Sequence, residues 1–266
     1  MKVILVHADH GPGAEGRLAA ARGLARRCGG HVTVLVNSPF QRFVAMDPFG
    51  GTYLAAEAFA EAKTRDAALA ARLAENMAAS DVPWDLVTVQ NEAAGALADA
   101  AALADVVLVG LPGKGGVMPD AMLAGDVALA ARVPVLALPE DGGELDLSGP
   151  VLVAWNGSDE AAAALRSATP LLAGRQVMVL RVGPDEGRLP DDAALDYLAR
   201  HGITARLETV DSRESAAVII AREAERMQAA MVVMGAYGRS RLRETVFGGA
   251  THDLLNTASI PLLLAH

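Results

Sequence analysis

The sequence predicts an α/β protein made of two tandem, doubly wound, five-stranded parallel sheets that form a pseudo-dimer within one chain. Three observations predict it. Short apolar runs alternate with longer alanine-rich stretches along the 266 residues, and strands alternating with helices imply right-handed crossovers and parallel pairing. The alternation occurs twice, as an imperfect tandem repeat. Each copy closes on a short, strongly apolar segment, Val133–Leu138 and Ile260–Ala265.

The first copy opens with the strand Val3–Val6, followed by the helix Ala14–Arg27 and the strand His31–Val36. Val106–Gly110 and Val133–Leu138 supply its last two strands. The second copy matches these with Val151–Ala154, Asp159–Leu172, Gln176–Val182, Val232–Gly235 and Ile260–Ala265, and adds a clear helix at Ser215–Met227. Pro139–Gly149, PEDGGELDLSG, has no apolar periodicity and reads as a linker between a first domain, 1–139, and a second, 150–266. Its eleven residues reach about 36 Å when extended, ample to join the halves. The terminal strand of each copy would leave an unpaired edge. Pairing these two strands antiparallel, about an approximate two-fold axis, removes both edges.

The copies differ between Val36 and Trp84, where the first carries a long insert. Four of the five phenylalanines lie in it, Phe40, Phe43, Phe49 and Phe59, together with Tyr53 and a helix over about Leu54–Ala79. Its Phe-rich part, 38–60, reads either as a small satellite core or as a lid or protein-binding surface.

Composition narrows the function. Apolar residues make up 52% of the chain and aromatic ones only 4%, so the core is built from Ala, Val and Leu. A formal net charge of −9 argues against a nucleic-acid partner, which recruits basic surfaces. The single cysteine, Cys28, excludes an intrachain disulfide and reads as a structural thiol. Met1–Ala8 reads as a first strand and not a signal peptide. No apolar stretch reaches the roughly 20 residues of a membrane span, so no membrane partner and a cytoplasmic address are expected.

The segment that carries chemistry is VVMGAYGRSRLRETVFGGAT, residues 232–251. An apolar run ends at Gly235; Gly238 follows, then Gly248 and Gly249 at the start of an amphipathic stretch. A strand, a glycine-hinged loop and a helix start can offer backbone N–H groups to an anion. The same glycines could instead only turn the chain out of the strand. The spacing G-x2-G-x9-G, set before a closing apolar strand, is the more specific signal. Together with VLVAWNGS (151–158) and the proline-led IPLLL (260–264), it resembles the universal stress protein family. The resemblance is good over Pro150–His266 and looser over Met1–Glu140.

That resemblance implies a Rossmann-like fold and an ATP site. In ATP-binding members an Asp after strand 1 meets the nucleoside and backbone after strand 2 meets the adenine. The matching places here are Ala154, Trp155 and Asn156, and the neighbourhood of Val182. Asn156 lacks the charge but keeps an acceptor; Asn156-Gly157-Ser158 reads equally as a helix cap. Phosphate and ribose contacts are implied at Gly235, Gly238, Arg239, Gly248, Gly249, Ala250 and Thr251. The family's Ser or Thr after the last glycine is Gly249 here, and the nearest hydroxyl is Thr251. Arg239, Arg241 and Arg243 could reach phosphates or simply be solvated.

The first copy keeps Gly110, Gly113, Gly115 and Gly116, but Leu123 replaces the last spaced glycine and Gly125 comes two residues later. Lys114 lacks a Walker context, so a degraded, structural loop is expected. His7 and His10 alone show ligand-like spacing, and no metal is expected beyond Mg2+ brought by a nucleotide. No catalytic residue is evident, so any ATP hydrolysis would be slow. The expected function is a nucleotide-responsive stress protein that binds ATP or a related adenine nucleotide in the second half, as a monomeric pseudo-dimer or a homodimer. The rival is a nucleotide-free member acting through protein contacts at the Phe-rich insert. A third reading, an enzyme of the related nucleotide-hydrolase-like superfamily, lacks its S-G-G-x-D-S loop.

Overall fold

The computed structural model describes residues 1–39, 44–46, 52–112, 123–140, 145–146, 148–184, 187–237 and 249–266. The first half runs β1 (Val3–Ala8), α1 (Ala14–Cys28), β2 (His31–Asn37), β3 (Val44–Met46), β4 (Thr52–Leu54), α2 (Ala56–Ala78), β5 (Trp84–Val89), α3 (Ala93–Ala100), β6 (Val106–Gly110), α4 (Leu123–Ala130) and β7 (Val135–Leu138). The second runs β8 (Val151–Ala154), α5 (Asp159–Leu172), β9 (Val177–Val182), α6 (Asp191–Arg200), β10 (Ala205–Val210), α7 (Ala216–Arg226), β11 (Met231–Gly235), α8 (Ala250–Thr257) and β12 (Leu262–Ala265).

Local chemistry accounts for the boundaries. Ser158 caps α5 by accepting from the Ala161 N–H at 3.1 Å, and Asp159 and Glu160 follow in the first turn, where the helix dipole favours acid. Ser215 caps α7 in the same way, accepting from Val218 N at 3.4 Å. Strands β7 and β12 are unbroken Val/Leu/Ala runs buried on both faces, and so are β6 and β8 up to their last residue, as interior strands require. The outermost strands, β5 and β10, alternate with exposed residues instead. Charged side chains there, such as Asp85, Arg206 and Glu208, blunt the free edges.

The sheet order is β10-β9-β8-β11-β12-β7-β6-β1-β2-β5. The two five-stranded halves are therefore fused into one ten-stranded sheet, parallel within each half. The junction is the antiparallel pair β7–β12, with Leu262 opposite Ala137, Leu263 opposite Leu136 and Leu264 opposite Val135. Helices α1, α2, α5 and α6 cover one face around Ile4, Val6, Leu165 and Val153. Helices α3, α4, α7 and α8 cover the other around Leu5, Val107, Ile219 and Leu254. Strand order reverses between β1 and β6 and again between β8 and β11, which fixes where ligands meet such sheets.

The pairing registers correct the repeat alignment by one residue. Ile4 pairs with Val106 and Val151 with Met231, while β6 and β11 both end on their glycine. Ile4 is thus the counterpart of Val151, and Asp9, not Ala8, is the counterpart of Asn156.

Within the insert, β3 and β4 form an antiparallel hairpin. Phe40, Phe43 and Phe49 lie outside the described residues. Helix α2 buries Leu69, Leu73 and Met77 in the main core, so its C-terminal part belongs to the domain and not to a satellite. No helix among the described residues is long and apolar enough to cross a membrane.

The linker's far end is pinned. Buried Arg175 donates from Nε to the Gly149 carbonyl at 2.6 Å and from Nη2 to the Asp146 carbonyl at 3.3 Å. Because β7 and β12 join the halves independently of the linker, cutting the chain at a protease site inserted between Glu140 and Leu145 should leave both fragments co-eluting on size exclusion. Separation into two folded fragments would show that the seam does not hold them.

Candidate functional site

In the second half, the carboxyl ends of β8, β9 and β11 bring Ala154, Asn156, Val182 and Gly235 to one rim. Trp155 N–H bonds the Leu180 carbonyl at 2.9 Å, and the indole is buried at 4% exposure in the α5/α6 face. Its Nε1 has no partner among the described residues. Asn156 Oδ1 accepts from Ser158 N at 3.2 Å, closing the turn that precedes the Ser158 cap. Cap and rim position therefore coexist in this turn.

After β9, Gly183 N–H bonds the Val210 carbonyl at 2.9 Å. The chain then returns across the β8 turn. Leu189 N–H donates to the Gly157 carbonyl at 3.0 Å, and Arg188 Nε to Asp159 Oδ1 at 3.0 Å. Backbone that follows strand 2 thus lies on the turn that follows strand 1.

Gly235 has a packing reason. A Cβ there would lie 2.6 Å from Ala161 N and 2.7 Å from the Glu160 carbonyl carbon, so only glycine lets β11 approach the first turn of α5. Beyond it, Ala236 N–H bonds the Ala265 carbonyl at 2.7 Å, and Tyr237 takes φ +54° with its N–H 3.4 Å from Thr251 Oγ1. Thr251 is buried, and its hydroxyl faces this backbone. Gly249 starts α8 at φ −173°, with no side-chain cap and nothing within 4 Å of a Cβ placed on it. Ala250 is the first residue of α8. Gly238, Arg239 and Gly248 lie outside the described residues.

The first-half rim is filled by the chain's own polar groups. Arg17, 3% exposed, donates from Nε to the His7 carbonyl at 3.1 Å and pairs through Nη2 with Asp9 Oδ1 at 2.6 Å. Its Nη1 lies 2.7 Å from where a Cβ on Gly110 would be. Asp9 is partly buried, which raises its pKa, but the charges of Arg17 and His7 and hydrogen bonds from Arg17 and Gly11 outweigh burial and hold the carboxyl below its usual value. His7 Nε2 lies 2.8 Å from Asn37 Oδ1, and Asn37 Nδ2 donates to the Asn91 carbonyl at 3.2 Å. Asp66, from α2, accepts from Ser38 Oγ at 2.5 Å and contacts His10 Nε2 at 2.7 Å. Among the described residues, no cluster of three or more His, Cys, Asp or Glu could hold a metal ion.

Sequence reasoning missed Asp9, Arg17, Asp66 and Tyr237. A repeat alignment shifted by one residue would have exposed Asp9. The others depend on contacts between segments far apart in sequence.

Two outcomes follow for these rims. Gly249 sits in extended backbone with open space around it, so Gly249→Ser should fold normally, gain a few tenths of a kcal/mol as an N-cap, and restore a hydroxyl at the helix start. Thermal denaturation checks the first part; a loss of stability would contradict the open geometry. Asp9→Asn leaves Arg17 buried without its counter-charge and should cost about 1–3 kcal/mol, reduced because the carboxylate is partly solvated. With a lowered folded pKa, the wild-type contribution is complete above the usual value of 3.8 and is lost as pH falls through the folded value. The acid limb of a stability–pH profile should therefore flatten in Asp9→Asn.

The profile of the universal stress protein family matches residues 148–266. No curated protein matches the chain. Among solved structures, a universal stress protein from Archaeoglobus fulgidus DSM 4304 is similar over 98% of this chain and 97% of its own, with TM-score 0.73 and 15% identity. A protein of Pseudomonas aeruginosa UCBPP-PA14 described as a universal stress protein is similar over 100% of this chain and 93% of its own, with TM-score 0.63 and 17% identity. At these identities the likeness is one of fold, and it extends across both halves. Residues 148–266 thus match the universal stress protein family, and the first half repeats the same fold, as in a tandem of two such domains.

Proposed function

We propose that the protein is a nucleotide-responsive, stress-related binding protein whose second half takes ATP or a related adenine nucleotide. The observation that carries this is the start of α8. It is an uncapped helix N-terminus with open space above Gly249, in the half that the family profile matches. Such a helix start presents N–H groups and a positive dipole end to phosphate. Asn156 has an Nδ2 with no partner among the described residues and can serve the ribose. Backbone beyond Val182 serves the base, and Arg239 adds charge. Mg2+ comes only with the nucleotide. In this reading turnover is slow at most.

A second reading has its own support. The hydrogen bond from Leu189 N–H to Gly157 lays backbone over the β8 turn, where a nucleoside would sit. In that reading the chain binds no nucleotide and works through protein contacts at the insert.

Calorimetry and thermal shift with ATP, ADP and AMP decide between them. ATP at a hundred times its Kd should stabilise the fold by about 2.7 kcal/mol. Gly238→Val should abolish this by placing a branched side chain in the glycine loop, while Gly113→Val leaves it nearly unchanged. No heat and no shift at millimolar nucleotide would favour the second reading, and equal losses from both variants would move the site elsewhere.

A further inference from the structure

Tyr237 has a backbone conformation that its side chain disfavours. A non-glycine residue at φ +54° is strained and persists only where its surroundings enforce it. Two contacts do so. Its N–H meets Thr251 Oγ1 in the first turn of α8, at 3.4 Å. Its ring enters the first half. A Cβ on Gly125 of α4 would collide with the Tyr237 hydroxyl and lie 2.9 Å from Cζ and 3.1 Å from Cε2. A glycine inside a helix is less stable there than alanine, so a buried one calls for a packing reason. The phenol seated over Gly125 supplies it.

We infer that Tyr237 is a positioning residue for the second-half nucleotide site and that Gly125 of the first half is its socket. This rests on the nucleotide reading above. The chain of contacts is short: α4 seats the ring, the ring fixes the Tyr237 backbone, and that backbone holds Thr251 and with it the start of α8. One half of the molecule thereby sets the geometry of the other half's anion site. The displaced glycine of the first repeat also gains a role. Gly125 does not belong to a phosphate loop; it leaves room for Tyr237.

The test compares Gly125→Ala with wild type in the full chain, by ATP calorimetry, thermal denaturation, and tryptic cleavage after Arg239 without nucleotide. Gly125→Ala should raise the ATP Kd about tenfold or more and speed the cleavage, while Gly23→Ala, an open helical position, changes neither. Gly125→Ala/Tyr237→Phe should recover part of the affinity, because the hydroxyl makes the closest contact; a general helix effect would not be rescued. If Gly125→Ala does not fold, Tyr237→Gly reads the same link, since glycine accepts the backbone conformation but lacks the ring, and it should also weaken ATP about tenfold or more. Unchanged affinity and unchanged cleavage in the folded variants overturn the inference. Absence of ATP binding to wild type overturns the nucleotide reading and this positioning role with it, and the cleavage comparison then decides whether the socket holds Tyr237 at all.

Discussion

The antiparallel pairing of β7 with β12 is the contact on which the rest of the molecule depends. Each strand has only four residues, and every one of them is almost wholly buried. Alone, either would be an apolar edge with a row of unpaired N–H and C=O groups. Paired, they satisfy those groups and bury Leu136 and Leu263 against each other, each side chain worth about 1.5–3 kcal/mol when removed from water. The antiparallel sense also sets the symmetry. It points the carboxyl ends of the two halves in opposite directions, so the two rims cannot share a ligand, while it lays α4 beside α8 across the seam.

The two rims have the same origin in the fold but different electrostatics. At the first, an acid follows strand 1, and the chain itself supplies the cation that answers it: Arg17 reaches Asp9 from α1. A guanidinium this deeply buried needs its carboxylate, because an unpaired interior charge is costly. At the second, the counterpart of Asp9 is the neutral Asn156, and the counterpart of Arg17 is the uncharged Ala164. A cation on that turn, Arg188, is answered by Asp159, and the start of α8 carries no side-chain cap.

Much of this was legible in the sequence. The helix Asp159–Leu172 was marked at its start by the cap residues Asn156 and Ser158, of which the structure uses Ser158. The pairing of the closing strands was legible from two similar apolar edges in one chain, VPVLAL and IPLLLA, together with the edge pairing that the family resemblance implies. The alignment of the repeats was not legible to one residue. Ile4–Ala8 and Val151–Val153 are buried on both faces, and such strands lack the alternation that fixes register. The reading of Gly235 as a ligand glycine is also incomplete, since its contact with Ala161 is one of backbone packing, which local spacing cannot distinguish from ligand approach. Gly238, Arg239 and Gly248, the core of the motif, lie outside the described residues, so the motif's geometry rests on its two ends.

The contact between Tyr237 and Gly125 shows what a tandem chain can do that a homodimer cannot. In a two-fold dimer any contact from residue i to residue j is repeated from j to i. Aligning Gly110 with Gly235 makes Pro112 the counterpart of Tyr237. Proline has no ring of that reach and no N–H to offer a threonine, so the reciprocal contact is absent. The bond between the halves is therefore directional: the first supports the loop of the second without being supported in return. Covalent fusion permits this, because each repeat mutates separately while β7 and β12 keep the sheet intact. The first half could then commit its own rim to Asp9, Arg17 and Asp66 and still contribute, through α4, to the rim that stays open.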